Sequence, residues 1–308
     1  MQLSVVIPLY NEATVVDALL SRTLAALDSF CPDFELIVVD DGSSDMTLPS
    51  LLAYQQADPR IRVIELSRNF GHQAAFTAGL EHARGQFIAM MDGDLQDPPE
   101  VLGAMYERLA SGQCDVASGK RTERHGNKAK NGMTNIFHFL FQRLAGLRGM
   151  ENAGNFCMMN RDALYALLSL DERVRYLPGL RAFIGFRQEY VEYARDARFD
   201  GTAKMSLFKL LTLATDAIFS FSRTPVRLCL TIGLVGALVF FIAGIYVLIA
   251  KGFGFAIPGW SSTLLSIYFL GSIQLVFLGV VGEYVYRIYK ESQRRPHYFI
   301  RKIHELPE

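Results

Sequence analysis

From Val226 to Ala250 the chain carries almost no polar side chain, and a second apolar segment, Trp260 to Tyr286, holds only Gln274 and Glu283 as strongly polar members. Each is long enough to cross a hydrocarbon core of about 30 Å, which takes roughly 20 helical residues. Between them lies Lys251-Gly252-Phe253-Gly254-Phe255-Ala256-Ile257-Pro258-Gly259, a short turn rich in Gly and Pro, so the pair reads as a transmembrane helical hairpin over 226–287. Arg223 and Arg227 precede it and Arg287, Lys290, Arg294 and Arg295 follow it, against Lys251 alone in the turn. That bias predicts a multi-pass protein of the cell inner membrane with both chain ends, and everything before residue 220, on the cytoplasmic side. A pair of buried core helices is the other reading of such runs; Trp260 and the tyrosines near the segment ends favour the membrane.

The remainder alternates between short apolar runs and amphipathic stretches. Leu3 to Leu9, Glu35 to Val39, Ile61 to Leu66 and Gln86 to Met91 read as buried strands. Thr14 to Ser29, Met46 to Gln56, Phe70 to His82 and Val101 to Ser111 read as the helices between and after them. Such alternation predicts an α/β domain with a doubly wound, mostly parallel sheet covered on both faces, whose ligands bind at the carboxyl ends of the strands. Every polar cluster of this region falls at such an end: Tyr10-Asn11-Glu12, Asp40-Asp41, Ser67-Arg68-Asn69 and Asp92-Gly93-Asp94. No Gly-x-Gly-x-x-Gly follows the first run and no Gly-x-x-x-x-Gly-Lys occurs, which argues against dinucleotide-binding and phosphate-loop folds. With 31 basic and 31 acidic residues, nothing in the total charge points to nucleic acid. Cys31, Cys114, Cys157 and Cys229 show no metal-type spacing and are expected to be reduced thiols. The chain opens directly into Leu3-Ser4-Val5-Val6-Ile7-Pro8 without a basic leader, and no cleavable signal segment is expected.

In Met90-Met91-Asp92-Gly93-Asp94-Leu95-Gln96-Asp97-Pro98-Pro99-Glu100, Pro98 and Pro99 end any continuation of the strand and suit the first turn of a helix. Asp92 and Asp94, leaving the strand, can converge, and Gly93 would let the backbone approach a ligand. Hard oxygens in that arrangement suit Mg²⁺ or Mn²⁺ carrying a diphosphate. An isolated Asp-x-Asp is more often a polar turn with an Asp cap; convergence with the other clusters separates this one from that case.

Val6-Ile7-Pro8-Leu9-Tyr10-Asn11-Glu12, Val39-Asp40-Asp41-Gly42-Ser43-Ser44-Asp45, Ser67-Arg68-Asn69-Phe70-Gly71 and the Met91 to Glu100 motif together resemble the family 2 glycosyltransferases with the GT-A fold. Within them the chain resembles the branch that glycosylates polyprenyl phosphates, including dolichyl-phosphate mannose synthases and bacterial bactoprenol glucosyltransferases. The resemblance implies that Pro8, Tyr10 and Glu12 line the nucleotide pocket, with Asp41, or Asp40 beside it, bonding the base. Asn69 and Gly93 fall in the same donor-binding motifs. Asp92, Asp94 and Gln96 match the positions that hold the metal and the donor diphosphate.

Past residue 100 the chain reads as a short strand, Asp115 to Gly119, then a basic stretch, Lys120 to Gly132. That stretch is a solvated loop or a lid whose Arg121 and Lys130 bind the acceptor phosphate. Ile136 to Leu147 is apolar enough for a membrane-surface helix or a core helix. Asn152-Ala153-Gly154-Asn155-Phe156 stands where the bacterial branch resembles Gly-Asp-Phe, so the family's carboxylate is here Asn155. An amide cannot be a general base, and Asn155 reads as a positioning residue. Arg198 and Lys204 match the basic pair the branch uses around donor and acceptor phosphates; attraction to anionic headgroups is the alternative.

The expected order is a GT-A domain over 1–204, an interfacial amphipathic helix over 205–225, the hairpin with spans near 226–250 and 260–286, and a basic cytoplasmic tail over 288–308. The resemblance implies inverting transfer of one hexose, glucose from UDP-glucose, to undecaprenyl phosphate, with a nucleotide sugar, a polyprenyl phosphate lipid and the membrane as partners. Gly233, Gly236 and Gly244, or Gly271 and Gly279, would let helices of a homo-oligomer approach closely. Two other readings stand beside this one. A processive polysaccharide synthase would carry Gln-x-x-Arg-Trp, yet the single Trp is Trp260. A catalytically idle membrane scaffold or nucleotide-sugar sensor could keep the pocket, and Asn155 leaves that open.

Overall fold

Leu3–Leu9 (β1), Phe34–Asp40 (β2), Ile61–Leu66 (β3) and Phe87–Met90 (β4) are buried along their whole length. Strands apolar on both faces need cover on both, and helices Val16–Phe30 (α1), Thr47–Ala57 (α2), His72–Glu81 (α3) and Val101–Ala110 (α4) follow them in sequence to supply it. A computed structural model describes residues 1–122, 153–173, 175–194, 224–253 and 259–306 of the chain. It divides into a sheet unit, which includes Arg295–Glu308, and a helical unit, which includes Leu207–Arg294.

In the sheet unit β1 pairs in parallel with β2 on one side and β4 on the other, and β2 pairs in parallel with β3. Val116–Thr122 (β5), Ala153–Asn160 (β6), Gln188–Ala194 (β7) and Ile300–His304 (β8) complete one sheet in the order β7-β5-β6-β4-β1-β2-β3-β8. β6 is antiparallel to β4 and β5, β8 is antiparallel to β3, and β5 is parallel to β7. The expected parallel sheet therefore holds for β1 to β4 and gives way to a mixed one beyond. Arg161–Leu168 (α5), capped by the Asn160 side chain on the Ala163 N–H at 2.9 Å, and Leu177–Phe183 (α6) complete the unit.

This order creates a crevice. The chain builds β1, β2 and β3 outward in one direction and returns to place β4 on the other side of β1, so the strand order reverses between β1 and β4. Ligands of open α/β sheets bind where that happens, outside the carboxyl ends. Pro8, with no N–H to give, lies past the last β1 residue that β4 pairs, Val6, so it interrupts no bond on that side.

The C-terminal segment departs from the expected tail. Residues 288–292 end the last helix, and Ile300–His304 is β8, a sheet strand covering the edge of β3. Its neighbour Glu305 accepts Arg62 Nε at 2.8 Å, while Arg62 Nη1 donates to Glu35 at 2.6 Å. Glu35 is 1% exposed and also accepts the Ser4 hydroxyl and the Arg84 N–H, each at 2.6 Å. Three strands thus meet at one buried ion pair on the amino-end side of the sheet.

The helical unit contains Thr224–Gly252 (α7) and Trp260–Ser292 (α8). Among the described residues one helix is long and apolar enough to cross a membrane, over Phe269–Ser292 of α8; within α7 the apolar stretch Cys229–Ala243 is shorter. Apolar side chains such as Leu230, Leu234, Phe241, Leu275 and Leu278 face outward from both helices. They touch where the Phe277 ring lies 3.4 Å from the position a Cβ on Gly233 would take. Glu283, one of two strongly polar residues in its segment, is paired with Arg287 one turn on at 2.8 Å. Cys31, Cys114, Cys157 and Cys229 are free thiols, as expected from their spacing. The expectations for 123–152, 195–223 and 254–258, which include the basic loop beyond Thr122, the Ile136 to Leu147 segment, the interfacial helix and the centre of the hairpin turn, lie outside the described residues.

Removing one partner of a buried ion pair strands the other charge. Arg62→Met is expected to lower unfolding stability by about 3–5 kcal/mol, measured by denaturant titration, because Glu35 remains buried. Glu35→Gln in the same chain should restore part of the loss; equal stability of Arg62→Met and the unaltered protein would refute the role given to this pair.

Candidate active site at the carboxyl ends of β1 and β4

The loops at the carboxyl ends are tied to one another. Asn11, in left-handed backbone at φ 51°, gives its N–H to Ser43 Oγ at 3.0 Å and accepts the Ser44 N–H on its side chain at 2.8 Å. The Glu12 N–H reaches Thr47 Oγ1 at 2.9 Å, and Asp45 accepts the N–H groups of Thr47 and Ala13 at 3.0 and 3.3 Å. Tyr10 is 44% exposed above this lacing, whereas Pro8 beneath it is buried.

Asp41 is the joint to the next loop. Its Oδ1 accepts the Phe70 N–H at 2.7 Å and its Oδ2 the Gly71 N–H at 2.9 Å. Burial pushes its carboxyl above the ordinary Asp range, against the pull of those two amides. Gly42, at φ 70°, has the backbone of Arg68 and Asn69 where a Cβ would stand, 2.5 Å from the Arg68 carbonyl carbon, so only glycine fits the turn. Asp40, 1% exposed, accepts the Ser43 N–H on Oδ2 at 3.2 Å, and its Oδ1 has no hydrogen-bond partner among the described residues. Asn69 is exposed.

The loop that Asp41 holds opens α3, whose first two side chains reach across the crevice. His72 Nε2 lies 3.2 Å from Asp92 Oδ1. Gln73 Nε2 donates to Asn155 Oδ1 at 3.5 Å, and Asn155 Nδ2 donates to Asp92 Oδ1 at 3.4 Å. Burial would raise the Asp92 pKa, but His72, Asn155 and the charge of Arg121 together hold it below the ordinary carboxylate value. Asp92 is therefore an anion at neutral pH. His72 and Asn155 both address Oδ1, so Oδ2 has no hydrogen-bond partner among the described residues. Asp94 Oδ1 accepts the Gln96 N–H at 3.2 Å, turning the chain away from β4. The space at Gly93 is taken by Leu9, whose Cδ2 stands 2.2 Å from a Cβ built there. The Pro8 carbonyl oxygen would stand 3.2 Å from the same Cβ, so a larger residue there would have to push the end of the Leu9 side chain aside.

Arg121 lies on the other flank. Its Nε donates to the Tyr193 hydroxyl at 3.1 Å and its Nη2 is 3.4 Å from Asp97, which is 1% exposed and also accepts the Tyr193 O–H. Burial and the Asp97 hydrogen bond push the Tyr193 hydroxyl well above its ordinary pKa, so it stays protonated. Arg181, 1% exposed, donates from Nη2 to the Gly154 carbonyl at 3.1 Å and so holds the start of β6.

Asp92 and Asn155 are brought together, with Arg121 near enough to act on Asp92 through charge. Lys130, Arg198 and Lys204 lie outside the described residues. His72, Gln73, Asp97, Tyr193 and Arg181 join the site without being singled out by the sequence. The first two follow directly on the Ser67 to Gly71 cluster, at a helix start beyond a strand's carboxyl end, and that position was their signal. Among the described residues no three His, Cys, Asp or Glu side chains form a metal-holding group. The donor set still fits a hard divalent cation: an ionised Asp92 with Oδ2 open to a ligand, Asp94 from the adjoining turn, and the amide oxygen of Gln96.

Asp41→Asn keeps the shape but sets an NH₂ group against one of two N–H donors, which costs about 1–3 kcal/mol. Hydrogen exchange at the Phe70 and Gly71 amides is expected to quicken and the melting temperature to fall. Unchanged exchange there would show that Asp41 does not hold the loop.

A profile described as glycosyl transferase family 2 matches residues 4–168. The chain is 36% identical over 307 residues to a prophage bactoprenol glucosyl transferase homolog of Escherichia coli (strain K12), covering 98% of this chain and 99% of that one. It is 35% identical over 304 residues to the bactoprenol glucosyl transferase of Shigella phage SfV, covering 98% of each. An uncharacterized glycosyltransferase of a Synechocystis strain is 36% identical, over 97% of this chain and 94% of that one. Glucosyl-3-phosphoglycerate synthase from Mycobacterium tuberculosis, solved with Mn²⁺, UDP and phosphoglyceric acid, shares the fold at a TM-score of 0.50 and 19% identity, over 71% of this chain and 76% of that one. The profile match, the full-length relatives and the carboxylate crevice of a GT-A-like sheet agree: this chain belongs to glycosyl transferase family 2.

Proposed function

We propose that the protein transfers one hexose, glucose, from UDP-glucose to undecaprenyl phosphate at the cytoplasmic face of the membrane, with inversion at the anomeric carbon. The observation that carries this furthest is the extent of the likeness to bactoprenol glucosyl transferases. It runs through the sheet unit and the helical unit alike, and among the described residues the latter carries many exposed apolar side chains.

The step is a single displacement. An oxygen of the lipid phosphate forms the new bond to the sugar's anomeric carbon as the bond to the nucleoside diphosphate breaks, and the diphosphate leaves with the electron pair. A phosphate monoester has its second pKa at about 6 and arrives as an anion, so the site needs positioning and countercharge more than a base. That is compatible with an amide at Asn155. Mg²⁺ or Mn²⁺, held by Asp92, Asp94 and Gln96, would neutralise charge on the leaving diphosphate. On this reading Tyr10, Glu12 and Asp41 form the nucleotide end of the crevice. Arg121, oriented by Asp97 and Tyr193, faces the acceptor phosphate together with Lys130, and Arg198 and Lys204 offset the charge of the two phosphates.

Connectivity supports a hairpin that crosses twice. β8 lies after α8 in sequence, yet it is hydrogen-bonded to β3, which precedes α7. A chain that leaves a domain and returns to it crosses a membrane an even number of times. If α8 crosses, a single crossing would strand β8 on the wrong side, so α7 crosses too. Single cysteines placed at Gln293 and in the 254–258 turn of a cysteine-free chain should react with an impermeant maleimide from opposite faces of inverted vesicles; labelling from the same face would exclude the hairpin.

The reaction is tested by transfer of labelled glucose from UDP-glucose to undecaprenyl phosphate in detergent, with and without Mg²⁺ or Mn²⁺. Labelled lipid is expected only with metal, and Asp94→Ala should cut the rate by roughly 10²–10³. Nucleotide binding without labelled lipid, whatever nucleotide sugar is supplied, would favour the scaffold or sensor instead.

A further inference from the structure

Gln73 joins two elements that sequence reasoning never connected. Its Oε1 accepts the Leu177 N–H at 3.1 Å, at the first turn of α6, and its Nε2 donates to Asn155 Oδ1 at 3.5 Å. Asn155 Nδ2 in turn donates to Asp92 Oδ1 at 3.4 Å. The two inner links are long for hydrogen bonds, so what they set is direction more than strength. Direction matters because a side-chain amide can present either its oxygen or its nitrogen, and only its partners decide which.

A backbone N–H can only donate. Leu177 therefore fixes Gln73 with its oxygen toward α6 and its nitrogen toward Asn155. Asn155 must then give its oxygen to Gln73 and its nitrogen to Asp92. With the opposite orientation, the Asn155 oxygen would face an Asp92 oxygen, acceptor against acceptor.

We propose that Gln73 is a positioning residue for the transfer reaction, fixing the polarity of the Asn155 amide so that Asp92 is held by Oδ1 and presents Oδ2 to the metal and diphosphate. This rests on the reading of Asp92 as a metal and diphosphate ligand. Outer partners that orient a ligating carboxylate change metal affinity by about 10–100-fold when removed.

Gln73→Glu separates this role from that of a plain helix cap. The carboxylate still accepts the Leu177 N–H but offers Asn155 no donor. Added negative charge would by itself tighten divalent binding, so weaker binding could not arise from charge. The expected result is a melting temperature near that of the unaltered protein, with calorimetric affinity for Mn²⁺ in the presence of UDP lowered about tenfold. In the transfer assay kcat should fall and KM for the lipid should stay within about twofold. Gln73→Met, which loses both links, should lose stability as well. If the two amides act as one relay, Gln73→Glu combined with Asn155→Ala weakens Mn²⁺ binding no further than Asn155→Ala alone. Unaltered Mn²⁺ affinity and kcat in Gln73→Glu, or additive losses in the double variant, would overturn the proposal. Should the unaltered protein transfer nothing, the enzymatic reading falls while the Mn²⁺ and UDP titration still decides the role of Gln73.

Discussion

The candidate site depends on one buried carboxylate. Asp41 spends both oxygens on the N–H groups of Phe70 and Gly71, so the loop after β3 has one path into α3. Gly42 seats that loop from below, and Phe70 meets Phe299, just before β8, at a ring distance of 6.1 Å. The start of α3 is thereby fixed against β2 and the C-terminal strand together. Only from that position can the first two side chains of a helix following β3 address Asp92 and Asn155 at the ends of β4 and β6. The cost is a buried carboxyl whose pKa is raised, a penalty borne by the fold to hold a loop in place.

Charge is distributed around the crevice with the same economy. Asp92 is kept anionic by donors on Oδ1 and by Arg121, while the buried Asp97 and the Tyr193 hydroxyl fix the Arg121 guanidinium from behind. Arg121 stays cationic, since Asp97 and Tyr193 raise its pKa against the burial that would lower it. A fixed cation beside a fixed anion suits the proposed reaction between two anionic substrates, because neither must reorganise as charge moves between them.

The parts of this arrangement written in local sequence were legible there. β1 to β4 were placed within a residue or two because runs buried on both faces contrast sharply with the loops between them, and the polar clusters at their ends marked the crevice. β6 was missed: Ala153, Gly154 and Asn155 give its start neither apolar run nor alternation, and its place is set by antiparallel pairing to β4 and β5. β8 reads as tail in the sequence because its charged residues, Arg301 and Lys302, are those of an exposed edge strand, and its partner Val63 lies far away in sequence. The Asp92 motif was found, yet its supports were not. His72 and Gln73 look like ordinary helix starters until the sheet order sets them beside Asp92.

The same topology shows how an amide can serve at Asn155, where the resemblance to the family implies a carboxylate. A third carboxylate next to Asp92 would need a cation or a proton beside it, since like charges in a half-buried crevice raise one another's pKa. Here the Asn155 nitrogen donates to Asp92, and a buried cation, Arg181, grips the adjacent Gly154 carbonyl from beneath. Strand β6 is thus held by hydrogen bonds on both sides of Asn155. On the proposed reaction the nucleophile brings its own negative charge, so losing a base costs less than misplacing Asp92. The residues that hold Asn155 in one orientation then matter more to the chemistry than any proton acceptor at that position.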